Sequence, residues 1–248
     1  MNKKVAWIIG ASEGIGRSLS KFVSLDVDVL IVSARSVSRL EDLSLIIDPK
    51  VELVVAPCDF TSVDAVQEVV DNIYSNYAPT QIIFNVGAYE QVSIDNFNYQ
   101  IVKDLYESNY VTAVNFLSSV LPYLKSHPSQ VAFNISAASY VGLPYGGGYS
   151  APKAALLNLI QSLKVDAERY GIDFRVINLG FVKTRLTKKN QFKMPFIIEP
   201  DEAAQGILRG LSSDAFEIHF PKRLTFLLKF LGILPSALFF KMMRRGVQ

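Results

Sequence analysis

The sequence predicts a single-domain α/β fold: a doubly wound, mainly parallel sheet of about seven strands with helices on both faces. Three observations carry that expectation. Apolar runs of strand length recur around residues 5–9, 29–33, 51–56, 81–86, 130–136, 173–179 and 215–220. Helix-compatible stretches separate them, which is the alternation a parallel sheet with crossover helices requires. The first run passes directly into a glycine turn, Gly10-Ala11-Ser12-Glu13-Gly14-Ile15-Gly16. With 248 residues, 50% of them hydrophobic, the chain can bury one large core, and it shows no linker, internal repeat or low-complexity tract.

Taken in order, Val5-Ala6-Trp7-Ile8-Ile9 reads as a buried strand, and Leu19, Phe22 and Val23 mark the helix after the turn. Glycines at such a turn let the chain bend tightly, bring backbone close to a pyrophosphate and let the helix pack on the strand. Phosphates would meet the free N–H groups at the helix start, the site including Gly10, Gly14, Ile15 and Gly16. The second strand, Val29-Leu30-Ile31-Val32, ends in Ser33-Ala34-Arg35-Ser36. The third run is followed by Cys58, read as a packed strand residue, and by Asp59.

The chemistry concentrates at Tyr149-Ser150-Ala151-Pro152-Lys153, with Ser136 thirteen residues upstream. A phenol titrates near pH 10, so it donates a proton at neutral pH only when nearby positive charge stabilises the phenolate. Lys153 lies one helical turn on, on the same face as Tyr149. Reduction of a carbonyl generates an alkoxide, which needs a proton and a hydrogen-bond donor as charge develops. Tyr149 would give the proton and Ser136 would hold the oxygen. Pro152 does not argue against the helix, because Pro is tolerated in a first turn, where its missing N–H has no partner anyway. Alone, a Tyr-x-x-x-Lys spacing is weak evidence; beside the strand, glycine turn and helix it gains weight.

At this point the residues resemble the short-chain dehydrogenase/reductases over about residues 4–220. Gly10-x-x-x-Gly14-x-Gly16 matches the family's glycine motif, and Asn85-Val86-Gly87-Ala88 resembles its Asn-Asn-Ala-Gly motif. Asn109, Ser136, Tyr149 and Lys153 fall where the family's catalytic tetrad stands, and Gly180-Phe181-Val182-Lys183-Thr184 resembles its Pro-Gly-x-Val-x-Thr segment. Leu179 stands in place of that Pro, and Val86 in place of the second Asn. The resemblance implies a Rossmann-type NAD(P)(H) oxidoreductase interconverting a carbonyl and a secondary alcohol. Asn85, Gly87, Val182 and Thr184 would then contact the cofactor, and Lys153 would lower the pKa of Tyr149 and bind ribose. Asn109 would kink a helix and hold a water linking Lys153 to solvent; the other reading of Asn109 is a cap or bend without a relay. The resemblance also implies a homodimer or homotetramer, built by packing two long helices at roughly residues 100–124 and 149–169.

Charge argues the cofactor. In Rossmann units an acid about twenty residues past the glycine turn bonds the ribose 2′-OH, whereas an Arg nearby accepts a 2′-phosphate. The stretch ending at Ser36 holds no acid, so NADP(H) is favoured and NAD(H) is the alternative. Arg35 would pair the phosphate with two parallel N–H bonds, Ser12 would add a hydroxyl, and Arg17 is a poorer candidate. The competing reading of Arg35 is a solvated charge at a helix start. Asp59 resembles the family's adenine-contacting acid, with a helix N-cap as the other reading.

Several classes are excluded. One cysteine forms no internal disulfide, and His127 and His219 have no metal-ligand spacing, so no metal is expected. A formal charge of +2 carries no nucleic-acid signature. The amino terminus runs straight into the first strand, which points to a cytoplasmic setting.

The remaining questions concern substrate and surface. The resemblance implies a lid at residues 183–200, in which Lys183 to Lys193 carries five basic residues ahead of Met194-Pro195-Phe196-Ile197-Ile198. Such a lid would suit a hydrophobic substrate with an anionic head. Residues 1–220 are read as the catalytic domain and 221–248 as a basic, hydrophobic extension. After Glu217 there is no acid, while Lys222, Arg223, Lys229, Lys241, Arg244 and Arg245 flank the apolar stretches. The uncharged run from Phe230 to Phe240 is too short to cross a bilayer, which takes about twenty residues. It reads as an interfacial membrane segment or as a helix pair folded over the cleft or a partner subunit. An alternative of another class, a non-catalytic NADP(H)-binding sensor or membrane-surface protein, has no chemical need for Ser136, Tyr149 and Lys153 together.

Overall fold

The computed structural model describes residues 3–189 and 194–244. Seven strands form one sheet: β1 (Val5–Ile9), β2 (Val29–Ser33), β3 (Glu52–Val55), β4 (Gln81–Phe84), β5 (Gln130–Asn134), β6 (Asp173–Leu179) and β7 (Glu217–Phe220). Their order is β3-β2-β1-β4-β5-β6-β7 and every pairing is parallel. The expected runs at 51–56, 81–86, 130–136 and 215–220 overreach, because their outer residues lie outside the ladder. Asn85, Val86, Ile135 and Ser136 instead line the cavity above the sheet. Cys58 is likewise buried past the end of β3, not within it.

Two-residue periodicity divides the strand side chains between two cores. Val5, Trp7, Ile9, Ile31, Ile82 and Phe84 face α3 (Val63–Asn76), α5 (Thr112–Leu124) and α6 (Gly147–Glu168). Ala6, Ile8, Leu30, Val32 and Ile83 face α1 (Gly14–Val23), α2 (Val37–Glu41) and α7 (Pro200–Leu211). Each fully buried large aliphatic or aromatic side chain contributes about 1.5–3 kcal/mol. Trp7 is accommodated because its indole N–H donates to Ser33 Oγ at 2.9 Å. Helix starts are written locally: Ser62 caps α3 through Ala65 N, and α7 opens with Pro200 followed by Asp201 and Glu202.

The long helix expected at 100–124 is interrupted. α4 (Tyr99–Tyr106) passes through a π-helical turn, Glu107–Val111, before α5 resumes, and buried Asn109 lies within that turn. α6 begins at Gly147, which places Pro152 in its second turn and not in the first. The carbonyl of Gly148 therefore loses its intrahelical donor.

The carboxyl-terminal stretch forms α8 (Lys222–Gly232) and α9 (Ser236–Met243). Leu224, Leu228 and Leu231 of α8 pack onto Ala137, Tyr140 and Phe181, so this helix folds back against the main body. Among the described residues, no helix is long and apolar enough to cross a membrane. The chain order reverses between β1 and β4, opening a crevice at the strands' carboxyl ends.

Candidate active site

A cavity of about 660 Å³ fills that crevice. Gly10, Ser12, Gly14, Ile15, Arg35, Asp59, Asn85, Gly87, Val182 and Thr184 line it, together with Ser136, Tyr149 and Lys153. Gly16 and Asn109 stand behind its wall, and Arg17 does not line it.

The glycine turn is fixed by close backbone approach. Gly10 has φ +85°, and a Cβ there would lie 2.6 Å from the Asn85 carbonyl oxygen. A Cβ on Gly16 would lie 2.0 Å from Gly10 O, an impossible contact. Gly16→Ala is therefore expected to cost about 1–3 kcal/mol and to displace the turn. Thermal unfolding combined with NADPH titration checks this; a variant as stable and as tightly binding as the parent would refute it. Glu13, the N-cap residue of α1, makes no side-chain cap, so the helix start keeps its N–H groups for an anion.

Beyond the turn, Arg35 is exposed on the cavity rim. Arg39, four residues on, lines the same rim and was not singled out from sequence, although its one-turn spacing from Arg35 was the available signal. Glu13 bridges Arg39 at 3.2 Å and Arg185 at 2.8 Å, drawing α2 and the loop after β6 to the glycine turn. Asp59 does not cap α3, since Ser62 does. Its carboxylate accepts from Thr61 N at 3.1 Å and Thr61 Oγ1 at 2.9 Å.

At the opposite end, Tyr149 and Ser136 line the same part of the cavity, and Tyr149 meets the Tyr89 ring edge-on, centroids 5.3 Å apart. Burial pushes the Tyr149 phenol above its ordinary value, and the neighbouring Ser136 hydroxyl works against that rise. Lys153 is buried, and its Nζ donates to Asn134 O at 3.0 Å and Val86 O at 3.3 Å. Burial lowers its ammonium to about 7. The expected lowering of the Tyr149 pKa by Lys153 is thus not what this arrangement displays: desolvation dominates both groups, and the ammonium bonds carbonyls.

Asn109 Oδ1 accepts from Ala88 N at 3.2 Å, while Nδ2 donates to Ala88 O at 2.9 Å and Leu105 O at 2.8 Å. A Cβ on Gly87 would lie 2.8 Å from Asn109 Oδ1 and 3.3 Å from Lys153 Nζ, so the two polar groups flank one glycine. Ser136 is held in turn: its N–H donates to Asn178 Oδ1 at 3.3 Å, and Asn178 Nδ2 donates to Glu217 Oε1 at 2.7 Å. Tyr140 and Lys229 also donate to Glu217. Burial favours protonation of that carboxyl, but the bonds from Lys229, Tyr140 and Asn178 hold it below its ordinary value. This chain from α8 to Ser136 carries no motif and was invisible in sequence.

The lid's basic rim is largely neutralised. Lys183 pairs Glu199, Arg185 pairs Glu13 and Lys189 pairs Glu90. The rim thus anchors the segment, which weakens the expectation of an anionic substrate head. Of the expected lid, residues 190–193, including Lys193, lie outside the described residues. The cavity walls near Tyr149 are apolar, from Leu143, Pro144, Phe181, Leu224 and Leu228. Cys58 lines the cavity with its thiol pushed up to about 11 by burial, so it is no nucleophile. Among the described residues no group of His, Cys, Asp and Glu has a metal-holding arrangement.

The family model for short chain dehydrogenases matches residues 4–194. The chain belongs to the short-chain dehydrogenase family. It is similar to an "uncharacterized oxidoreductase" of Myxococcus xanthus, 28% identical over 254 residues, covering 99% of this chain and 98% of the relative. In fold it is similar to a short chain dehydrogenase from Burkholderia cenocepacia in complex with NADP, with TM-score 0.84 and 21% identity over 98% of each chain. An alcohol dehydrogenase from Thermococcus sibiricus complexed with 5-hydroxy-NADP gives TM-score 0.78 at 24% identity, covering 88% of this chain and 95% of that one. This short-chain dehydrogenase is accordingly an oxidoreductase of the CH–OH/C=O type that uses a nicotinamide dinucleotide. The uncapped α1 start, the glycine cradle and the long cavity fit such a cofactor.

Proposed function

We propose that this short-chain dehydrogenase uses NADP(H) in preference to NAD(H) to interconvert a hydrophobic ketone and its secondary alcohol. The observation that carries the reading is one continuous cavity with Arg35 and Arg39 at one end and Tyr149 and Ser136 at an apolar other end. When bound, the nicotinamide cofactor supplies or accepts the hydride. Tyr149 Oη gives its proton to the substrate oxygen in reduction and takes it back in oxidation. Ser136 Oγ donates a hydrogen bond to that oxygen while it carries charge. Lys153 Nζ holds the ribose and offers a cation beside the phenolate, and Asn109 orders the water that returns a proton to Tyr149. Gly10, Ser12, Gly14, Ile15 and Gly16 hold the pyrophosphate, Asp59 the adenine, and Asn85, Gly87, Val182 and Thr184 the nicotinamide side.

Residues 1–220 act as the catalytic domain, and the extension at 221–248 contributes a wall through Leu224 and Leu228. Apolar walls favour a hydrophobic or lipid-like substrate. A homodimer or homotetramer through α4, α5 and α6 in a cytoplasmic setting belongs to the same reading, supported by exposed Tyr99, Tyr106 and Val165 on those helices. Peripheral contact of α8 and α9 with a membrane completes it.

NADPH consumption against ketones graded by chain length tests the reading. Faster turnover of long-chain ketones supports it, whereas tight NADPH binding with no turnover across the panel overturns it in favour of a sensor. Arg35→Asp is expected to weaken NADPH binding about tenfold to a hundredfold while changing NADH binding little, as for a charge-assisted pair worth roughly 1.5–3 kcal/mol. Titration of the variant with both cofactors checks this, and equal losses for both would remove Arg35 from 2′-phosphate recognition.

A further inference from the structure

α8 has two apolar faces, and the fold uses one. Leu224, Leu228 and Leu231 point inward, while Phe226, Phe230 and Ile233 stand 59%, 53% and 79% exposed on the other side. Leu227 and, on α9, Leu238 and Phe240 are exposed as well. Single exposed apolar residues are ordinary, but a set at i, i+4 and i+7 is a second helix face. The helix presenting it is firmly seated. Lys229 donates to Glu217, His219 Nδ1 meets Thr225 Oγ1 at 2.7 Å, and Lys222 Nζ meets His219 Nε2 at 3.0 Å.

Charge identifies what covers this face. Beyond Glu217 the sequence has no acid, and Arg223, Lys241 and Arg244 are exposed around the apolar residues. A second copy docking the same patch through a twofold axis would set the cations of α8 and α9 against each other, with no acid on either helix to meet them. An anionic lipid surface satisfies both chemistries, because its headgroups take the cations and its acyl boundary takes the aromatic and aliphatic side chains. We infer that α8 and α9 lie on an anionic membrane surface, with Phe226, Phe230 and Ile233 at the headgroup boundary and Arg223 and Lys241 on lipid phosphates. Leu224 and Leu228 on the inner face wall the cavity, so docking sets the cavity's apolar end beside the lipid phase. That last consequence rests on the hydrophobic-substrate reading; the docking itself does not.

The test is co-sedimentation of the full chain with vesicles of phosphatidylcholine alone and of phosphatidylcholine mixed with phosphatidylglycerol. Binding is expected only with phosphatidylglycerol present and is expected to weaken as salt rises. Phe226→Ser combined with Phe230→Ser, and separately Arg223→Glu combined with Lys241→Glu, are each expected to reduce partitioning about tenfold or more. NADPH binding equal to that of the parent shows that the variants are folded. Equal sedimentation with both vesicle types, or variants that bind like the parent, would overturn the inference. So would self-association in gel filtration that the Phe pair abolishes, without vesicle binding, because the face would then belong to a second copy. Lipid binding is read without turnover, so failure here and failure of the reductase reading are distinguishable.

Discussion

Tyr149→Phe is expected to lower kcat/KM for ketone reduction by about 10²–10⁴-fold while leaving NADPH affinity essentially unchanged. The substitution removes one oxygen from a ring whose packing against Tyr89 survives, so the cavity keeps its shape. What is lost is the phenol hydroxyl beside Ser136 at the apolar end, and with it the proton that the developing alkoxide needs. Both kcat and kcat/KM should fall together, because the bond is made fully only as charge appears on the substrate oxygen. NADPH titration by fluorescence, run beside steady-state kinetics, separates this from a folding defect. A variant within threefold or so of the parent's kcat would show that Tyr149 is not the proton donor.

The fold was legible because its signals are local and redundant. The span of β1, the glycine turn and Leu19 with Val23 each follow from a few neighbouring residues, and parallel pairing follows from the alternation of strands and helices. Ser136, Tyr149 and Lys153 were legible as chemistry, and the structure brings them to one cavity. Strand ends were not legible, because Val86 and Ile135 resume the apolar character after Asn85 and Asn134, while Asn85, Val86, Ile135 and Ser136 turn out of the ladder to wall the crevice. The cap of α3 falls on Ser62, three residues past Asp59, for which an N-cap was one of two open readings, and only the side-chain bond to Ala65 N selects it.

The supporting contacts were hidden for a different reason. Glu217 reaches Ser136 only through Asn178, which is thirty-nine residues from it in sequence and beside it only once β6 and β7 pair. The pairing of Glu13 with Arg185 likewise joins the turn after β1 to the loop after β6. Such contacts depend on tertiary register, which no local spacing encodes. The pKa directions belong here too. A Tyr-x-x-x-Lys spacing suggests a cation lowering a phenol, yet burial reverses the outcome for both groups before any cofactor phosphate or substrate enters the balance.

That reversal yields the second large effect. Lys153→Met is expected to remove most turnover, by about 10²-fold or more, and to lose stability relative to the parent as pH rises. The sign follows from the folded and unfolded values. Burial lowers the Lys153 ammonium from 10.5 to about 7, so the folded state releases this proton more readily than the unfolded chain. Below about pH 7 both states are protonated, and the parent bears the full cost of burying the charge. Between about pH 7 and 10.5 the unfolded state alone keeps the proton, so the parent's stability rises with pH and the cost fades. The cost is on the order of a few kcal/mol, offset in part by the bonds to Val86 O and Asn134 O that Met cannot make. The absolute difference between the proteins can therefore take either sign, but its slope cannot: the variant's stability relative to the parent must fall as pH rises from about 6 to about 9. Urea unfolding of both proteins across that range, without cofactor, measures the slope. A flat difference would mean that Lys153 keeps an ordinary ammonium pKa in the folded chain, with its charge compensated by something other than the two carbonyls it touches.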